Sequence, residues 1–185
     1  MPVSILFSGH MIDNPGRPKP RFPRELEAAA AARIAAAIAP YAPVAMPSTM
    51  GFASCARGGD ILFHEQCRVA HVPTMIILPF PPEVFIQKSV VGIPGSDWER
   101  RFWQLWNTTP DAQRETMNLP QSDDAYGACN IRLLARAREH GAVHLIALWD
   151  GKRGDGPGGT ADLVTRAGTA NKPDIFSPAS LTRAQ

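Results

Sequence analysis

Residues 150–160 follow a predicted strand with a glycine-dense run that contains Asp150, Lys152 and Arg153 and closes on Gly158-Gly159-Thr160. The first amides of a helix have no intrahelical acceptor and carry positive partial charge, so a glycine-rich helix entry is a ready anion site. With Thr160 at the N-cap, the segment has the chemistry of a phosphate-cradling loop. It is not a Walker A sequence, because no Gly-Lys-Ser/Thr ends it. A flexible surface loop has the same composition; a Gly-Gly-Thr helix entry at a carboxyl strand end favours the ligand reading.

A second such segment is Gly51-Phe52-Ala53-Ser54-Cys55-Ala56-Arg57-Gly58-Gly59-Asp60. Paired glycines before a helix make an anion nest, Arg57 can fork onto a phosphate, and Asp60 can cap the helix or accept from a ribose hydroxyl. His64 and Arg68 follow Asp60 at steps of four, on one helix face. A plain N-cap and a surface histidine fit the same residues. Ser8-Gly9-His10, after the first strand, offers backbone N–H groups and an imidazole, with Arg17, Lys19 and Arg21 beyond; a tight turn explains the glycine equally well. In Leu78-Pro79-Phe80-Pro81-Pro82 the prolines stiffen a loop, and Phe80 or Phe85 can stack on a base or pack in the core. Cys55 beside Arg57 raises the question of a reactive thiol, but no helix-placed base completes a nucleophile pair.

The elements that must position these groups alternate. Residues 3–7 form a β-branched and aromatic first strand and 44–46 a weak second one; 74–78 form the clearest, predicted at the sheet centre, and 143–149 the last. Helices are predicted over 25–39, rich in alanine with Leu26, Ile34 and Ile38 on one stripe, and over about 61–70 and 83–89. Another opens at a capping box, Ser96-Asp97-Trp98-Glu99, and carries Trp98, Phe102 and Trp106 as core or a dimer face; the last spans 125–140 behind a Ser122-Asp123-Asp124 cap. Residues 107–121 read as loop. Strand–helix alternation predicts an α/β, Rossmann-like, doubly wound parallel sheet with helices on both faces, and such sheets hold ligands outside the carboxyl ends of their strands. Residues 1–167 make the domain; 168–185 lack periodicity and read as a tail or linker.

Composition bounds the function. A net charge of +2 gives no basic footprint for DNA or RNA. No apolar run approaches the ~20 residues of a membrane span. Three cysteines without metal spacing predict no metal site and suit a reducing cytoplasm, and the amino terminus reads as a strand, not a signal peptide.

Ala56-Arg57-Gly58-Gly59-Asp60, with His64 four residues on and Cys67 beyond, resembles the A-R-G-I-D…A-H motif of the DNA-processing Smf/DprA proteins. These belong to the SLOG superfamily, which also includes the lonely-guy nucleotide phosphoribohydrolases and sensor domains of bacterial defence systems. Gly59 to Glu65, Leu78 to Pro81, Leu148 to Gly151 and Gly154 to Thr160 resemble uncharacterised bacterial SLOG-like modules. The resemblance implies a nucleotide-binding Rossmann-like domain. The lonely-guy pattern P-G-G-x-G-T-x-x-E departs here to Pro157-Gly158-Gly159-Thr160-Ala161-Asp162-Leu163, without the third glycine and the glutamate, so it implies phosphate binding without that catalytic group.

The reading is a domain that binds a nucleotide or nucleotide-derived signal, as a sensor, through Ser8, Gly9, His10, Arg21, Ser54, Arg57, Gly58, Gly59, Asp60, Pro79, Phe80, Asp150, Gly158, Gly159 and Thr160. No further cofactor is implied. The alternative is a nucleotide hydrolase cleaving an N-glycosidic or phosphate bond, with Asp60, Glu65, His10 and Asp150 as acids and bases. A homo-oligomer or a downstream effector domain fits a sensor.

Overall fold

The fold was obtained as a computed structural model that describes residues 2–153, 158–168 and 173–182. Six strands, β1 (Val3–Gly9), β2 (Thr49–Ala53), β3 (Thr74–Leu78), β4 (Arg114–Thr116), β5 (Ala142–Leu148) and β6 (Asp174–Phe176), form one sheet in the order β4-β3-β2-β1-β5-β6. Every pairing is parallel. The chain walks outward from β1 to β4, then crosses back and places β5 on the other side of β1. This is the doubly wound α/β arrangement, and its switch point lies between β1 and β5.

Helices α1 (Glu27–Ile38), α2 (Gly59–Val69), α3 (Pro82–Ser89) and α4 (Trp98–Thr108) contribute Ile34, Phe63, Phe85 and Phe102 to one apolar cluster with Ile5 and Phe7 of β1. Helices α5 (Asp124–His140) and α6 (Thr160–Ala167) contribute Cys129, Leu133 and Leu163 to a second, with Leu6 of β1 and Phe52 of β2. Alternate side chains of β1 therefore enter opposite layers, as the two-residue strand period requires. Ala30 and Ala37 are buried on the inner face of α1. Phe7 and Phe63 stack with centroids 4.7 Å apart.

The second strand is not 44–46, where Val44 is fully exposed, but Thr49–Ala53. Gly51 concealed it: a Cβ there would lie 2.9 Å from Cζ of Phe63, so the glycine seats an aromatic ring and is no loop signal. β3 is one strand in from the edge, and β1 and β2 hold the centre. Two three-residue strands lie where no strand was predicted, β4 within 107–121 and β6 within 168–185; Arg33 ties β6 to α1 through Asp174 and covers Phe176. The capping box does not form, since the Ser96 hydroxyl donates to the carbonyl of Ile93 and no side chain caps α4 or α5. Trp98 and Phe102 are core, with Trp106 packed against them.

Candidate functional site

A cavity of about 480 Å³ opens at the carboxyl edge, within the size range of small-molecule sites. Its walls come from the ends of β1 and β2, the end of α3, the first turns of α5 and the entry to α6. Of the residues singled out in the sequence, Ser8, Gly9, His10, Arg17, Arg21, Ser54, Arg57, Asp60, Phe85, Gly158, Gly159 and Thr160 line it.

The loop after β1 folds back on itself through Asp13, whose carboxylate accepts from the backbone N–H groups of Arg21 (2.8 Å) and Phe22 (2.9 Å). That turn brings Arg21 to Asp150, beyond β5, with two contacts of 3.3 Å. Asp150 lies beside the cavity, outside its lining, and joins the two strands of the switch point. Burial opposes its ionisation, but the hydrogen bonds from Arg21 and the Lys152 N–H, with the charges of His10 and Arg21, hold its pKa at about 2. His10 Nε2 lies 3.1 Å from the Asp150 N–H and 3.1 Å from its carboxylate. One nitrogen cannot both accept from the first and donate to the second. Burial, reinforced by Arg21, lowers the His10 pKa, so the imidazole is neutral and the backbone contact is the one made.

Arg57 is buried and faces the cavity. Its Nε donates to the carbonyl of Ile12 (3.3 Å), Nη2 to Asn14 Oδ1 (2.7 Å), and Nη1 to the carbonyl of Val91. Among the described residues no carboxylate pairs with it. Asp60 is buried one step into α2, where its carboxylate accepts from the N–H of Ala56 (3.2 Å) and of Gly9. It joins the end of β1 to the loop after β2 and is not an N-cap. Burial outweighs those two hydrogen bonds and raises its pKa to about 7.

Gly58 and Gly59 lie outside the lining. A Cβ on Gly59 would meet Cα of Gly9 at 2.7 Å, and its N–H donates to the carbonyl of His10 at 3.0 Å; Gly58, at φ +94°, would press its Cβ on the Ile12 nitrogen at 2.5 Å. The pair brings α2 against the loop after β1. Pro79 and Phe80 also lie outside, Phe80 buried edge-on against Tyr126, a lining residue. Glu65 sits on the far side of α2, bound twice by Arg101 at 2.8 and 2.6 Å. His64 is buried with Nε2 2.7 Å from the carbonyl of Ser54, and burial lowers its pKa to about 4. Burial, with the charges of Asp60 and Glu65, pushes the Cys55 thiol well up, so it is a structural thiol.

At the entry to α6, Ser8 Oγ donates to Thr160 Oγ1 at 3.1 Å, and the N-cap is Gly159, not Thr160. Gly154 to Pro157 of this loop lie outside the described residues. Lys88, Ser89, Tyr126 and Asn130 line the cavity without having been singled out in the sequence. Only Asn130 left a signal. It falls at helical spacing among Tyr126, Cys129, Leu133, Leu134 and Ala137, a polar residue on the apolar stripe of α5.

These features define a doubly wound α/β domain with a cavity of mixed polar and apolar lining at its switch point. No family model and no curated protein matches the chain. Among solved structures, the X-ray structure of TM1055, Northeast Structural Genomics Consortium target VT76, is similar with a TM-score of 0.48 and 15% identity, over 90% of this chain and 68% of that one. Among the described residues no helix is long and apolar enough to cross a membrane, and no group of acidic, histidine and cysteine side chains could hold a metal ion.

Proposed function

We propose that the cavity binds a nucleotide or nucleotide-derived signalling molecule and that the domain acts as a sensor of the SLOG type. Arg57 carries the reading. A buried guanidinium satisfied only by carbonyl and amide oxygens keeps a full positive charge uncompensated, and an anionic ligand entering the cavity supplies the missing charge. The start of α6 adds backbone donors, since Gly158, Gly159, Thr160 and Ala161 line the same space. Tyr126 and Trp149 give it aromatic surface for a base.

A second reading, hydrolysis of an N-glycosidic or phosphate bond, draws on one observation. His10 is held neutral and Asp60 protonated up to about pH 7 in one cavity, the states a general base and a general acid need. Purified protein mixed with a panel of nucleotides separates the two. A thermal shift without product is the result expected for a sensor, and product supports the hydrolase. The absence of both shift and product contradicts nucleotide binding altogether.

A further inference from the structure

Asn130 occupies the seventh position of α5, where its carboxamide is buried yet reaches the cavity. Nδ2 donates to the carbonyl of Gly158 (2.9 Å) and to Oδ2 of Asp162 (2.9 Å), with the carbonyl of Gly159 at 3.4 Å. All three neighbours are acceptors, which fixes the amide orientation, because a flipped amide would set its oxygen against two carbonyls and a carboxylate. The carbonyl of Gly158 is thereby turned toward α5, whereas that of Gly159 accepts from the N–H groups of Asp162 (3.0 Å) and Leu163 (3.3 Å) in the first turn of α6. In a trans peptide the N–H points opposite to the C=O, so the N–H of Gly159 is directed away from α5 and that of Thr160 out of the start of α6, and both residues line the cavity. The amide oxygen, Oδ1, accepts from no described group. Nδ2 is spent on the loop, while Oδ1 is not among the buried side-chain atoms that lack a partner, so it is open to the cavity, where a ligand donor can reach it.

We propose that Asn130 is the positioning and specificity residue of the site: its Nδ2 aims the Gly159 amide, at the entry to α6, at the anion of the ligand, and its Oδ1 accepts a hydroxyl of the sugar that carries that anion. The inference rests on the nucleotide reading and narrows it to ligands with a free ribose hydroxyl.

The test titrates the full chain with the four ribonucleoside 5′-monophosphates and their 2′,3′-dideoxy counterparts, as wild type, Asn130→Ala and Asn130→Asp, with circular dichroism as the check on folding. Wild type is expected to favour the best ribonucleotide over its dideoxy form by about tenfold, the scale of one hydrogen bond to a buried acceptor. Asn130→Ala is expected to weaken both and bring their ratio to about one, a change that loss of packing alone does not produce. Asn130→Asp keeps an acceptor but sets a carboxylate against the loop carbonyls, and is expected to lose both ligands. Equal wild-type affinity for ribo and dideoxy forms overturns the proposal, as does an unchanged ratio in Asn130→Ala. Where Asn130→Ala fails to fold, Asn130→Ser takes its place with the same expected loss of the ratio, and an unchanged ratio in it overturns the proposal. Failure of wild type to bind any nucleotide overturns the nucleotide reading, and this inference with it.

Discussion

Asp60 keeps its proton across a pH range in which an exposed aspartate has lost it. Unfolded, it ionises near 3.8; folded, burial moves that point to about 7. Between these values the unfolded chain binds fewer protons than the folded one, so this residue makes stability fall as pH rises through the window and level off above it. Asp60→Asn is expected to remove that decline. Urea midpoints of wild type and variant should converge or cross between about pH 4 and pH 7, and parallel profiles would contradict the assignment. Arg57 has a second role beside the one proposed for it. Its three acceptors belong to the loops after β1 and after α3, so Arg57→Ala strands buried carbonyls and should cost about 1–3 kcal/mol of stability as well as nucleotide affinity. Calorimetric titration below the melting range of the variant reads the two losses separately. Its glycine neighbours announced this segment in the sequence. That its guanidinium would meet no carboxylate was not legible, because its partners come from residues 12, 14 and 91.

Two adjacent glycines at the mouth of α6 differ in what they do. Gly158, at φ +78°, lies so close to α5 that a Cβ would meet the Gly127 nitrogen and the Tyr126 carbonyl carbon at 2.4 Å. Gly159 has an ordinary extended backbone, at φ −77°, and is exposed. Gly158→Ala is therefore expected to impair folding, whereas Gly159→Ala should keep the melting temperature and lose nucleotide affinity. The reverse pattern would show that the loop serves packing alone. In α1 the alanines set the approach to α2, and Ala30→Leu or Ala37→Leu should destabilise by roughly 1–3 kcal/mol through overpacking, measured in urea. A neutral result at both would mean that this face tolerates added volume. Helical elements and β1, β3 and β5 were legible because a sustained apolar period survives without tertiary context, whereas Gly51 broke that period in β2. β4 and β6 were not, since three residues hold too little pattern, and both take their place by pairing with a strand already in the sheet.

At the scale of the molecule, topology makes the site. Reversal of the winding direction at β1 leaves a crevice beside β5, and residues far apart in sequence meet there: His10 with Asp150, Ser8 with Thr160, Asn130 with Gly158. Loop residues of the site were legible from glycine and charge, because strand-end loops in such a sheet share one edge. The helix-borne Lys88 and Tyr126 were not, because which turn of α3 or α5 reaches the crevice depends on packing that no local pattern records; Asn130 showed only as a polar residue on an apolar stripe. On the proposed function, this crevice holds the phosphate of a nucleotide between the start of α6 and Arg57. A crystal structure with a saturating ribonucleoside 5′-monophosphate tests it most directly. The expected result is phosphate density within hydrogen-bonding distance of the Gly159 and Thr160 amides, with Arg57 facing the anion and a sugar hydroxyl against Asn130; an empty crevice, or a nucleotide ordered elsewhere on the surface, would contradict it.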